Sequence, residues 1–138
     1  MEDTAYDMQY HIVWTTKYRY KILRGKVAVR LRGIIWQGCE ARNIQIIRGC
    51  IGKEYVHLLV SCPPNIALSN LLQYLKGHSS KMLQEEFNKL RQRYWEQHLW
   101  APGYYCGTVG SVTEDMIKEY IENQDNGQDD ETFKIVKD

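Results

Sequence analysis

The chain has 138 residues, 43% hydrophobic and 25% charged, with a formal net charge of +1. That length supports one domain with its own core, and the balance excludes a disordered, fibrous or disulfide-stapled protein. No apolar run reaches the roughly 18 residues of a membrane span. The opening Met1-Glu2-Asp3-Thr4 is acidic with no apolar stretch behind it, so no secretory signal is expected. Cys39, Cys50, Cys62 and Cys106 lack C-x-x-C spacing, which points to reduced, buried thiols in a cytoplasmic protein.

Tyr10 to Thr16 is β-branched and aromatic, a first strand. Lys17 to Arg32 then carries seven basic residues and no acidic one, with Tyr18 and Tyr20 between the charges. Such interleaving suits phosphate contacts combined with stacking on bases. From Val27 to Arg42, the residues Val27, Leu31, Ile34, Ile35 and Gly38 fall at helical spacing. Ile44 to Ile51 reads as a second strand and Tyr55 to Ser61 as a third. A turn at Gly52-Lys53-Glu54 joins them as a hairpin, and Pro63-Pro64 ends it. In the third strand Val56, Leu58 and Val60 share the core face, while Tyr55, His57 and Leu59 point the other way.

The longest helix is expected from about Leu68 to Tyr94, with Leu68, Leu71, Leu72, Leu75, Met82, Leu83 and Leu90 as its stripe. Gly77 and Ser79-Ser80 should weaken its middle. Trp100-Ala101-Pro102-Gly103 is a turn and Tyr104 to Val109 a fourth strand. Ser111-Val112-Thr113-Glu114 has capping-box spacing and opens a last helix through about Gln124, with Tyr120 and Gln124 on one face. Residues 1–124 form the expected domain and 125–138 a polar tail. The order β-α-β-β-α-β predicts an α+β fold: a split β-α-β, ferredoxin-like, four-stranded antiparallel sheet with two helices on one face plus a C-terminal helix. The opposite face is left free, and His57 points there.

Four ordered segments carry a resemblance: Val-Trp-Thr-Thr-Lys-Tyr-Arg at 13–19, Val-His-Leu-Leu-Val at 56–60, Leu-Lys-Gly-x-Ser-Ser at 75–80 and Lys-x-Tyr-Ile-Glu-Asn-Gln at 118–124. Over roughly Tyr10 to Gln124 the chain resembles the single-tyrosine HUH transposases (TnpA type) of small insertion sequences. The resemblance implies a metal-dependent transposase that cleaves and rejoins single-stranded DNA hairpins at element ends. Tyr120 would be the nucleophile, forming a 5′-phosphotyrosine and a free 3′-hydroxyl. His57 and Gln124 would bind Mg2+ or Mn2+, and the working unit would be a homodimer with composite active sites. Lys17, Arg19, Lys21, Arg24, Lys26 and Arg30 are the candidate hairpin contacts, reading phosphates first.

One position departs from the pattern. The family strand carries His-hydrophobic-His, and Tyr55 stands where the first histidine belongs. A neutral phenol is a poor ligand for Mg2+ or Mn2+. Water, Tyr55 or Glu54 could fill the place, the last only with a bulge. Taken alone, His57 reads as a hydrogen-bonded structural histidine and Tyr120 as a core aromatic. His11, His78 and His98 have no partner nameable from sequence and stay outside the site. A different outcome is a catalytically weakened relative that only binds DNA hairpins. An RNA-binding protein of the split β-α-β type is disfavoured, because the first and third strands lack its paired aromatics.

Overall fold

The computed structural model describes residues 7–95, 97–110, 115–117, 119–120 and 133–135. Strand β1 (Met8–Thr15) leads through a 3-10 turn (Lys17–Arg19) to helix α1 (Gly25–Glu40). Strands β2 (Gln45–Ile51) and β3 (Tyr55–Cys62), helices α2 (Leu68–Glu86) and α3 (Asn88–Tyr94), strand β4 (Tyr105–Thr108) and strand β5 (Phe133–Ile135) follow. The sheet order is β4-β1-β3-β2-β5, with every neighbour antiparallel. The first four strands and the helices give the α+β split β-α-β arrangement expected from the sequence.

Alternation decides which face is core. Ile12 and Trp14 of β1, and Val56, Leu58 and Val60 of β3, are fully buried beneath Leu31 and Ile35 of α1 and Leu71, Leu72 and Leu75 of α2. The two helices come close enough that a Cβ on Gly38 would sit 2.8 Å from Leu75, so a side chain there would force them apart. β2 keeps Ile46 and Ile51 in the same core only because its register with β3 shifts between Ile46 and Arg48. That bulge returns Arg48 and Cys50 to the opposite face, where Cys50 pairs with His57.

Three sequence expectations change. The long helix does not run to Tyr94: Phe87 takes an extended conformation (φ −122°, ψ 101°) and separates α2 from α3. Its half-buried ring packs against the core, and its carbonyl starts α3 by accepting from Leu90 and Arg91. Gly77 and Ser79-Ser80, in contrast, leave α2 unbroken, because both hydroxyls are buried and bonded. Residues 133–135, expected in a polar tail, pair with Gly49–Ile51 as an edge strand. Residues 115–117 and 119–120 are helical, whereas the capping box Ser111–Glu114 lies outside the described residues. Among those described, no helix is long and apolar enough to cross a membrane.

Candidate active site

The sheet face turned away from α1 and α2 gathers the polar groups. In the β1–β3 ladder Val13 stands opposite His57 and His11 opposite Leu59, so the two imidazoles are diagonal neighbours. Nδ1 of His11 lies 3.0 Å from Nε2 of His57, with ring centroids 5.3 Å apart. One nitrogen donates and the other accepts, a pairing closed to two protonated rings. Burial, then the nearby His11 and Arg48, push the His57 imidazole down to about 4. At neutral pH that ring is uncharged and keeps a lone pair to offer.

Tyr55 shares the His57 face and reaches toward β2. Its ring covers Gly52, where any Cβ would collide with it, and its hydroxyl lies 4.0 Å from Cys50 Sγ. The β1–β3 ladder runs through Thr15 and Tyr55 without a bulge, so alternation assigns Glu54 to the helix side of the sheet. Glu54 is 1% exposed there, and neither carboxylate oxygen has a hydrogen-bond partner among the described residues. The bulge that would bring it to His57 is absent from this pair of strands. Gln124 lies outside the described residues.

The opposite side of the sheet is not bare. Val13 and Thr15 are buried there. Tyr120 lies against Tyr105 with ring centroids 5.4 Å apart and planes tilted by 38°, and Ile117, one helical turn before it, is buried. Tyr105 pairs with Val13, which in turn pairs with His57, so all three belong to one row across the sheet. At roughly 4.8 Å per strand, the Tyr105 and His57 backbones lie about 10 Å apart, with His11 on the strand between them. Burial raises the Tyr120 phenol above its ordinary range, so it is protonated at neutral pH until something favours its anion. The geometry thus brings Tyr120 and His57 to one face and adds His11. Sequence had set His11 aside, although it alternates with Ile12 and Trp14 as His57 does with Val56 and Leu58.

The six basic candidates do not behave alike. Arg30 Nε and Nη2 donate to Glu86 Oε1 and Oε2 at 2.7 and 2.9 Å, so its fork is occupied. Arg19, Arg24 and Lys26 are exposed, and Lys17 and Lys21 are half-buried. Tyr18 and Arg19 adopt left-handed backbone conformations (φ 61° and 53°), which are sparsely populated for non-glycine residues. Tyr18 is 67% exposed, meets the Tyr20 ring at a tilt of 53° with centroids 5.5 Å apart, and has Lys17 Nζ over its face. Arg93 of α3 lies 4.5 Å over the Tyr20 ring and extends the basic surface, a contact no local spacing announces.

The 75–80 run has a structural task. Lys76 Nζ donates to the Ala101 and Gly103 carbonyls at 2.9 and 2.7 Å. Ser79 Oγ accepts from Trp100 Nε1, and Ser80 Oγ accepts from the Leu99 amide. Together they tie the segment before β4 onto α2 and against the end of β1, where Ala101 donates to Thr15. β4, and with it Tyr105, is held in place by that staple.

Residues 4–124 match the family model described as "Transposase IS200 like". The chain belongs to the IS200-like transposase family. The IS200-like relatives include the transposase for insertion sequence element IS200 of Salmonella typhimurium. It is 36% identical over 121 residues, covering 88% of this chain and 79% of that protein. The ISDra2 transposase TnpA of Deinococcus radiodurans is 33% identical over 120 residues, 87% of this chain and 86% of that one. A crystal structure of a Deinococcus radiodurans protein described as a transposase superposes with a TM-score of 0.79 at 32% identity, over 90% of this chain and 95% of that one. The REP-associated tyrosine transposase bound to a REP hairpin shares the fold, with a TM-score of 0.54 at 14% identity over 89% and 67% of the two chains.

Proposed function

We propose that this IS200-like protein cuts and rejoins single-stranded DNA at the ends of an insertion sequence, with Tyr120 as nucleophile. The observation that carries this reading is the presence of Tyr120, packed against Tyr105, on the same sheet face as His57. Tyr120 Oη would attack the DNA phosphorus in line as the P–O3′ bond breaks. The phenol loses its proton, the departing 3′ oxygen gains one, and the strand is left as a 5′-phosphotyrosine. The phosphodiester energy stays in that bond, so the 3′-hydroxyl of another strand can reverse the step without ATP.

A buried phenol with a raised pKa does not ionise unaided at neutral pH. His57, held neutral, has a lone pair for a divalent cation, and Mg2+ or Mn2+, which favour oxygen donors, would take it beside amide, water and phosphate oxygens. His57 would hold the ion with Gln124, and when bound it supplies Lewis-acid polarisation of the phosphate. Tyr105 orients the Tyr120 ring, and buried Val13 keeps water from the floor between the strands.

DNA would approach along the Lys17–Lys26 surface, where exposed cations meet phosphates and Tyr18 offers a stacking face. The hairpin-bound structural neighbour supports a folded single strand as the ligand. The family resemblance adds a homodimer with composite sites, an exchange that would carry Tyr120 from its own chain's sheet face to that of a second copy. Mixing Tyr120→Phe with His57→Ala protein then restores cleavage, and a failure to complement contradicts it.

The second reading, a relative that only binds hairpins, is favoured by Tyr55, a neutral phenol at the position of the family's first histidine, with its hydroxyl 4.0 Å from Cys50 Sγ. Oligonucleotides from the flanks of the gene, incubated with Mn2+ and run on a denaturing gel, separate the two. A protease-sensitive protein–DNA band that disappears in Tyr120→Phe, with hairpin retardation kept, is expected. Retardation without any covalent band establishes the binding-only relative.

A further inference from the structure

We infer that His11 is the second imidazole ligand of this chain's divalent-metal site, dividing between two strands a pair that the family pattern places on one. The inference rests on the metal-dependent reading above and names the donor that Tyr55 does not supply.

The geometry is specific. The nitrogens that face each other, Nδ1 of His11 and Nε2 of His57, are 3.0 Å apart. Two neighbouring ligands of an octahedral ion, each at about 2.1 Å, stand about 3.0 Å from one another. The separation that permits a hydrogen bond between the rings is thus also the separation of two ligands on one cation. His11 sits in the strand hydrogen-bonded on both sides, by β3 and β4, and is only 8% exposed, so its ring is positioned before any ligand arrives.

Of the alternatives named by sequence, Glu54 belongs to the helix side of the sheet, and Tyr55 offers a neutral phenol 4.0 Å from Sγ of Cys50, the residue opposite His57, which is a poor ligand for Mg2+ or Mn2+. Among the described residues no third His, Cys, Asp or Glu side chain joins the two imidazoles in a metal-holding group. A two-imidazole set leaves the remaining positions to amide, water and phosphate oxygens, which is the open coordination that a catalytic ion requires.

Binding is measured on the full chain without DNA. Mn2+ is titrated by electron paramagnetic resonance, and folding of each variant is checked by circular dichroism. His11→Gln should weaken Mn2+ binding by about tenfold or more, whereas Tyr55→Phe should change it by less than about twofold. A measurement needing no variant accompanies it: adding Zn2+ to protein labelled with 15N-histidine should shift His11 Nδ1 and His57 Nε2 together. Unchanged Mn2+ affinity in His11→Gln, movement of the His57 resonances alone, or no Mn2+ or Zn2+ binding by the native chain each overturns the proposal. Formation of the Tyr120–DNA adduct is scored separately, so loss of the His11 assignment and loss of the nucleophile reading are told apart.

Discussion

The two faces of the sheet are built by different rules. On the helix side, Ile12, Trp14, Val56, Leu58 and Val60 are apolar, alternate with period two and are fully buried. Such positions tolerate volume-conserving swaps between hydrophobes. On the other side His11, His57, Tyr105 and Tyr120 come from three strands and a terminal helix, and their contacts depend on register to within one residue. A one-residue slip of β1 against β3 would cost the core much of its packing and the histidine face all of its geometry. The core therefore serves the site by fixing register.

The sharpest way to break that contrast is a deletion on the core face. Leu58→Ala is expected to cost about 2–5 kcal/mol, because a fully enclosed side chain leaves a cavity. Chemical denaturation measures it, and a loss below about 1 kcal/mol would show that the helix-side packing is not what holds the sheet.

The histidine face should instead reveal itself through pH. The His57 ring is held down to about 4 in the folded protein, chiefly by burial, against an ordinary 6.5 in the unfolded chain. Between those values the unfolded chain takes up a proton that the folded one refuses, so stability is complete above about pH 6.5 and declines as pH falls toward 4. The gap corresponds to about 3 kcal/mol. In metal-free buffer, His57→Gln should flatten that part of the stability curve; an equally steep curve in the variant would place the titration elsewhere. The smallest effect belongs to the surface. Arg30→Gln should leave the thermal melt nearly unchanged despite a two-pronged contact with Glu86, since both side chains are solvent-screened, about a third exposed. A larger loss in a thermal melt would mean that the pair clamps α1 to α2.

Periodicity made most of the fold readable before any coordinates. The strand order, the hairpin and the core residues of β1, β3 and α2 follow from period two and the i, i+3, i+4 stripe. Phe87 ends α2 without a proline or glycine to announce it, because a half-buried ring rather than backbone chemistry decides the break. The same limit applies to Lys76, Ser79 and Ser80, whose partners lie about twenty residues on, in a segment with no regular structure of its own. His57 and Tyr120 came from motif resemblance. His11 was within reach: its alternation with Ile12 and Trp14 already put it on the His57 face of an adjacent central strand. Only the register, which no local pattern prints, brings the two rings to 3.0 Å.

The most direct measurement is to locate the DNA on the protein. Adduct formed with a single-stranded oligonucleotide is digested with trypsin and nuclease, and the modified peptide is sequenced by mass spectrometry. Cleavage after Lys118 places Tyr105 and Tyr120 on different peptides, so the two neighbouring tyrosines are distinguished. A nucleotide on Tyr120 is the expected result. A nucleotide on Tyr105, or on any other of the ten tyrosines, would contradict the assignment of Tyr120 as the nucleophile.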